Sequence, residues 1–303
     1  MAKSAFLKSS IAKKYWMALT GLFLCLFLVG HLIGNLQLFM SGYEGALQFN
    51  KYALFMTTNP AIKLMSYVTY ISILFHAIDG IYLAIQNKKA RPVAYAMSKP
   101  SKNSSFSSRN MAVLGTLVLF FIATHMINFW VKMKFGTGMP LFVKEIVDTN
   151  NMGGAKQYLL IATPDSPQAS VPVQAPIFDN AMLNKQPNNQ VFIDGHKIIN
   201  NKNGEVLFEG YKDLHKLTIS FFKSKGKLFD VIPNEGLFFT LFYVLSMGVL
   251  AFHLWHGFQS AFQSLGVNGK FTPAIKVFGK IFSVIVPILF AIIPIYIHFL
   301  LKQ

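Results

Sequence analysis

The chain carries little charge and a single cysteine. Charged residues make up 13% of its 303 residues and hydrophobic residues 53%, with a mean hydropathy of +0.42, whereas soluble domains contain about 25% charged residues. Cys25 alone excludes an internal disulfide and any cluster or zinc site held by several cysteines of this chain. A glycine-rich dinucleotide motif is also lacking. The composition therefore excludes a soluble nucleotide-binding domain and indicates an integral membrane protein.

The first long apolar stretch covers residues 15–40 and contains no Asp, Glu, Lys or Arg. It exceeds the roughly 20 residues that an α-helix needs to cross a hydrocarbon core of about 30 Å. Basic residues precede it, but the stretch is too long for the apolar core of a signal peptide, about 7–15 residues, and shows no small-residue cleavage site. We therefore expect a retained first membrane helix.

Four further apolar stretches predict four more spans, at residues 62–86, 110–131, 236–263 and 273–301. The expected fold is an all-α integral membrane protein with five transmembrane helices in a bundle. A polar segment, residues 136–235, separates the third and fourth spans, and it includes β-like runs at 190–193 and 205–208 and a helical pattern at 213–222. The predicted organisation is three spans in 1–135, an insertion in 136–235 and two spans in 236–303.

Positive charge concentrates in three segments: the N-terminus, the linker 88–109 and the turn 270–280, none of which contains an acid. Short loops rich in Lys and Arg stay on the cytoplasmic side. The N-terminus is therefore expected on the cytoplasmic side of the membrane, with the insertion and the C-terminus on the outer face. The net charge of +16 then reflects a membrane face that meets anionic lipid and a docking protein, not nucleic acid.

Four of the eight histidines stand singly in the first four spans: His31, His76, His125 and His253. An imidazole in hydrocarbon costs free energy unless it has a partner, so each is a candidate functional residue. A lone buried histidine usually donates to a carbonyl group, but four in separate spans are hard to explain in that way. Two b-type haems, each held between two imidazoles, account for all four. The remaining histidines are His196, His215, His256 and His298, of which three are expected within reach of water and His256 is an alternative to His253.

Depth in the membrane suggests how the histidines pair. His31 and His125 lie 17 and 16 residues beyond the inner charges of their spans, roughly 25 Å at about 1.5 Å per residue. His76 and His253 lie 12 and 13 residues from the inner ends of theirs, which is about 20 Å or less. We therefore expect His31 to pair with His125 toward the outer face, and His76 with His253 toward the inner face.

Glycines near these histidines favour close packing of a flat ring. Gly30 and Gly34 flank His31, and a glycine follows His76 and His253 by four residues, one turn along the same helix face: Gly80 and Gly257. His256 has no glycine at the matching position. This difference favours His253 as the ligand in the fourth span.

The histidine-bearing helices resemble those of the di-haem cytochrome b anchor subunits of succinate:quinone oxidoreductases. The likeness extends over all five spans in order and is greatest for the five-helix, single-chain anchors of menaquinone-using bacteria. The insertion around residues 141–210 has no counterpart in the shorter members of that family. The runs that carry the resemblance are TGLFLCLFLVGHLIGN at residues 20–35, LFHAIDGIYLA at 74–84, ATHMINFW at 123–130 and AFHLWHGFQSAF at 251–262.

The resemblance implies a location in the inner membrane of a bacterium, a function and a set of partners. His31 with His125 would bind the iron of the distal haem b, and His76 with His253 the iron of the proximal one. A flavoprotein subunit would interconvert succinate and fumarate, and an iron–sulfur subunit would pass electrons between it and the anchor. A membrane quinone, most often menaquinone in this family, would react near the outer haem. The chain itself is expected to hold no dicarboxylate active site and no catalytic residue.

Two other functions fit parts of the pattern. The cytochrome b subunit of a hydrogenase or formate dehydrogenase also binds two haems through histidines of a helical bundle, although the order and spacing of the motifs argue against it. A transporter could use intramembrane histidines to carry protons or a divalent metal, and it would have no haem spectrum.

Overall fold

A computed structural model of the chain describes residues 10–90, 99, 102, 104–135, 141–147, 156–160, 191–194, 197–200, 203–204, 206–209, 211–267 and 269–302. Within these ranges, five helices are long and apolar enough to cross a membrane. The expected all-α fold of the membrane-spanning part, with five helices, is thereby confirmed. The spans are Ile11–Phe39, Pro60–Lys89, Met111–Phe135, Glu235–Ser264 and Thr272–Leu300.

The observed spans begin and end within four residues of the predicted boundaries. Local chemistry explains two of the starts. The side-chain oxygen of Asn59 accepts hydrogen bonds from the N–H groups of Ala61 and Ile62, at 3.0 and 3.3 Å, with Pro60 in the first helical turn. Asn234 caps the fourth span in the same way, accepting from the N–H of Leu237 at 3.0 Å.

Two spans contain irregular turns. The third span is α-helical over Met111–His125, becomes π-helical over Met126–Val131 and ends in a short α-helix, Lys132–Phe135. The fifth contains Pro287 and Pro294 and ends in a π-helical segment, Tyr296–Leu300. Such wide turns are frequent at functional sites and beside proline.

The four histidine-bearing spans form a closed ring. The first contacts the second and the fourth, and the third contacts the second and the fourth, so that spans one and three, and two and four, lie on its diagonals. The fifth span packs against the first and the fourth. A hydrophobic core joins these three spans, and its buried members are Cys25, Leu32, Met247, Leu250, Leu254, Phe258, Phe282 and Val286.

The chain divides into two compact units. One consists of Met1–Phe39, Thr57–Met126 and Phe221–Gln303, and the other of Met40–Met56 and Ile127–Ser220. The second unit contains most of a helix that the sequence does not predict, Gly42–Thr58. Its mean hydropathy falls between that of a span and that of a polar loop, so composition alone gave no signal for it.

The second unit contains six strands: β1 Leu141–Val147, β2 Lys156–Leu160, β3 Val191–Asp194, β4 Lys197–Asn200, β5 Val206–Glu209 and β6 Tyr211–Lys212. They form two three-stranded antiparallel sheets with strand orders β2-β1-β6 and β3-β4-β5. Strands β3 and β5 begin and end one residue later than the two predicted β-like runs, and the first residues of those runs, Gln190 and Glu205, are outside the described residues.

The helix predicted at residues 213–222 is observed at Leu214–Lys223. Asp213 caps it, because its carboxylate accepts the N–H of Lys216 at 2.9 Å. The same carboxylate oxygen accepts a hydrogen bond from the side-chain nitrogen of Asn50 at 2.8 Å, and the side-chain oxygen of Asn50 accepts the backbone N–H of His215 at 3.1 Å. This buried polar cluster of Asn50, Asp213 and the His215 backbone joins two helices of the second unit.

Candidate functional site

The structure brings the four predicted histidines together in two pairs, across the two diagonals of the ring of spans. His31 on the first span lies beside His125 on the third, with ring centroids 5.8 Å apart and ring planes at 87°. His76 on the second span lies beside His253 on the fourth, with ring centroids 6.2 Å apart and planes at 72°. These are the pairs that the depth argument predicts.

Both separations match the spacing of two imidazoles bound to opposite sides of one metal. A metal–imidazole bond is about 2.0–2.1 Å long, and a five-membered ring with bonds of about 1.33 Å has its centre roughly 1.1 Å from each atom. Two such ligands in line therefore place their ring centres roughly 6.3 Å apart. In such a complex both ring planes contain the metal–nitrogen axis, so any angle between the planes is allowed. The observed centroid separations are close to the spacing of two axial ligands of haem iron.

The His31–His125 pair lies among aromatic side chains. Phe27 stacks on His31 with ring centroids 5.3 Å apart, and Phe290 of the fifth span lies 5.7 Å from the same ring. Phe121 stacks on His125 at 5.8 Å. These rings give the pair an apolar environment.

A phenol also contacts this pair. The hydroxyl oxygen of Tyr243, a buried residue of the fourth span, lies 3.3 Å from Nδ1 of His125. A ligand that binds a metal through Nε2 keeps a proton on Nδ1, and that proton needs an acceptor. Tyr243 supplies such an acceptor.

Polar groups of the first span surround His76 of the other pair. Its Nδ1 lies 3.2 Å from the carbonyl oxygen of Met17 and 3.3 Å from the hydroxyl of Thr20. The Thr20 hydroxyl donates to the Trp16 carbonyl at 2.8 Å, which leaves the Met17 carbonyl to accept the proton of Nδ1. This arrangement holds the proton on Nδ1 and leaves Nε2 with a free lone pair, as a metal ligand requires.

His253 has a different environment from His76. Its Nδ1 is buried, and it has no hydrogen-bond partner within the part of the chain that the structure describes. A buried polar nitrogen without a partner costs free energy. Coordination of a metal would satisfy this atom only if Nδ1 itself were the ligand, because a ring bound through Nε2 would keep an Nδ1 proton without an acceptor among the described residues.

Glycines give the rings room, although different glycines from those predicted make the closest approaches. A Cβ added to Gly21 would lie 3.1 Å from Cε1 of His76, and one added to Gly115 would lie 3.5 Å from Cε1 of His253. A Cβ at Gly30 or Gly257 would meet nothing within 4 Å, which leaves open space beside them. Sequence reasoning missed Gly21 and Gly115 because they lie on other spans than the histidines they contact.

The other histidines have separate roles. The Nδ1 atom of His298 lies 2.6 Å from the carbonyl oxygen of Phe222. This contact joins the end of the fifth span to the helix that precedes the fourth. The backbone of His215 belongs to the polar cluster with Asn50, and burial lowers the pKa of its side chain while the nearby Asp213 carboxylate opposes that shift. His256 is half-buried on the fourth span. His196 lies outside the described residues.

A site for a bare metal ion would need more ligands than either pair provides. Across the described residues, no three side chains of His, Cys, Asp or Glu come close enough to hold a metal ion together. Structural and catalytic zinc sites use three or four protein ligands. Haem iron instead takes two ligands from a protein, one on each side of the porphyrin, because the porphyrin supplies the other four.

The comparisons with known proteins give no family assignment, because no protein-family model, curated protein or solved structure matches the chain. The functional assignment therefore depends on the two histidine pairs and on the motifs around them.

Proposed function

We propose that this chain is the di-haem cytochrome b anchor of a succinate:quinone oxidoreductase. The observation that carries the proposal is the pair of imidazoles on each diagonal of the four-span ring, with ring centroids 5.8 and 6.2 Å apart. Neither separation depends on the resemblance of the sequence to that family. The resemblance of the same four helices supports the choice among di-haem proteins.

In this proposal His31 and His125 hold one haem b, and His76 and His253 hold the other. The haems supply one-electron carriers at two depths of the membrane. The protein supplies the axial ligands, an acceptor for the Nδ1 proton of His76 and of His125, and an apolar surround that keeps water from the rings. Hydrogen bonding and burial of this kind set the reduction potential of each site.

The partners are inferred from the basic segments of the chain and from its lack of a sequence motif for binding a dinucleotide or flavin. Three basic segments, the N-terminus and the connections after the second and fourth spans, fall on one face of any five-span protein, because successive connections alternate between faces. An iron–sulfur subunit would bind this face, with a flavoprotein subunit beyond it where succinate and fumarate interconvert. A quinone, menaquinone by the resemblance, would react nearer the opposite face.

Purification of the tagged chain from the membranes of its own organism tests this function. We expect a flavoprotein and an iron–sulfur subunit to co-purify, and the complex to reduce a quinone analogue with succinate or to oxidise a quinol with fumarate. Recovery of hydrogenase or formate dehydrogenase subunits would instead support the related di-haem function. A reduced-minus-oxidised spectrum without haem bands would exclude both and favour a transporter.

A further inference from the structure

Three of the four histidines are contacted by a span whose own histidine belongs to the other pair. We propose that Gly21, Gly115 and Tyr243 are positioning residues that act across the two sites: Gly21 for His76, Gly115 for His253 and Tyr243 for His125. This inference rests on the proposed function, since it concerns ligands of the two haems.

The contact of the first span with His76 is the closest of the three. An added Cβ at Gly21 would lie 3.1 Å from Cε1 and 3.5 Å from Nδ1 of His76, so even one methyl group would force the ring to shift by a few tenths of an ångström. The preceding residue, Thr20, and the carbonyl of Met17 contact Nδ1 of the same ring. The first span, which carries His31, therefore fixes both the position and the tautomer of His76.

The third span packs a glycine against His253, as the first span does against His76. Gly115 lies against the ring of His253, with an added Cβ 3.5 Å from Cε1 and 3.9 Å from Nδ1. The third span carries His125, which belongs to the other pair. Glycine here brings the helix backbone against the imidazole without polar contact, which agrees with the unpartnered Nδ1 of His253.

The fourth span completes the pattern in the opposite direction. It carries His253, yet its Tyr243 places a hydroxyl oxygen 3.3 Å from Nδ1 of His125 and packs its ring 5.9 Å from that imidazole. Tyr243 is buried and lies among Phe121, Phe221 and Phe222, so its position is fixed by packing.

One spacing relates all three contacts. Gly21, Gly115 and Tyr243 each stand ten residues before the histidine of their own span, about 15 Å along a helix. Each of these three spans thus carries a histidine of one pair and, ten residues earlier, a residue that contacts a histidine of the other pair. The ring of contacts described above makes this arrangement possible, because every span on one diagonal touches both spans of the other.

The test uses variants that retain a single haem, so that each signal belongs to a known pair. In a His125→Leu background, which keeps the His76–His253 haem, Gly21→Ala should shift the low-spin electron paramagnetic resonance signal of that haem or cause its loss. In a His76→Leu background, which keeps the His31–His125 haem, the same substitution should leave the signal unchanged. Gly248→Ala is the matched control, because a Cβ there meets nothing within 4 Å, and it should change neither signal.

Tyr243→Phe provides an independent test in case Gly21→Ala fails to assemble. Loss of the acceptor for the Nδ1 proton makes His125 a weaker donor to iron and should raise the midpoint potential of the His31–His125 haem, with the other haem unchanged. A change confined to the pair that shares a span with the substituted residue would overturn the proposal, and so would no change in either haem for both substitutions. Absence of haem from the unsubstituted protein would instead refute the proposed function.

Discussion

The two histidine pairs have the same ligands but very different surroundings. Around His76 the structure places a backbone carbonyl, a hydroxyl and a glycine, whereas around His31 and His125 it places phenylalanine rings and one phenol. Hydrogen bonding and burial tune the reduction potential of a haem in addition to its axial ligands. Two haems in these places would therefore have distinct properties despite identical bis-imidazole coordination.

The largest expected effect comes from removing a single ligand. Replacement of any one of His31, His76, His125 or His253 by leucine should lower the haem content from two per chain to one, or prevent assembly, because a bis-imidazole site with one imidazole loses an axial bond. Haem content of the purified variants is the measurement. His196→Ala is the control and should retain both haems, whereas a normal content in His125→Leu would exclude the pairing.

The next prediction concerns the order of the two potentials. A reduced haem has one positive charge fewer, so cations nearby favour reduction. Lys88 lies 12 residues beyond His76, and a unit charge about 18 Å away contributes about 1 kcal/mol at an effective dielectric constant near 20. Redox titration of the single-haem variants should give the higher potential to the His76–His253 haem. The reverse order would show that local hydrogen bonds outweigh the basic face.

Membrane topology decides which pair lies closer to the partner subunits. The positive-inside rule predicts that a protease added to the outer surface reaches the segment 136–235 and spares the linker 88–109. Peptide mapping after digestion of cells with a permeable outer layer measures this. If the linker is cut and the insertion is spared, the orientation is inverted and the His31–His125 pair becomes the inner one.

A smaller effect is expected at the polar cluster in the other compact unit. Asn50 is 1% exposed and bonds both Asp213 and the backbone of His215. Replacement by alanine removes one of the two hydrogen bonds to Asp213 and leaves the backbone N–H of His215 without its Asn50 acceptor, so it should destabilise the contact between the Gly42–Thr58 and Leu214–Lys223 helices by about 1–3 kcal/mol. Hydrogen exchange of the two helices is the measurement, and the haem spectrum should remain normal. Loss of haem in Asn50→Ala would show that the cluster is not separate from the haem sites.

The smallest expected effect is a pH dependence of the stability of the same region, caused by the side chain of His215. Burial lowers the pKa of His215 below its ordinary 6.5, against the opposing influence of Asp213. The unfolded chain then binds a proton more readily than the folded one, so stability should fall as the pH drops below about 6.5. Hydrogen exchange between pH 7 and 5 should show faster opening at low pH, and His215→Gln should remove part of that dependence. Equal dependence in wild type and variant would exclude His215 as its source.

The sequence predicts the membrane spans and the two histidine pairs better than it predicts the contacts that position the histidines. Hydropathy located all five spans, and residue depth paired His31 with His125 and His76 with His253, as the structure also brings them together. The depth of a residue along its helix can be counted from the sequence of that helix alone. In contrast, Gly21 contacts a ring 55 positions away and Asn50 bonds Asp213, 163 positions away, and a single sequence contains no record of such contacts.

The Gly42–Thr58 helix was missed for a different reason. It lies between two spans, has a mixed composition with Glu44 in its first turn, and was treated as a connection. Its buried residues, among them Phe49 and Ala53, are interrupted by polar ones in a pattern that is weak beside the neighbouring spans. Tertiary packing in the second unit stabilises it more than local propensity does.

The haem-to-chain ratio of the purified protein, measured together with its low-temperature spectrum, tests the central claim most directly. Two pairs of imidazoles with ring centroids 5.8 and 6.2 Å apart predict two haems b per chain, both low-spin, with two distinct absorption bands in the reduced state. A protein that is folded and stable but contains no haem, or a single haem that survives His76→Leu and His125→Leu alike, would contradict it.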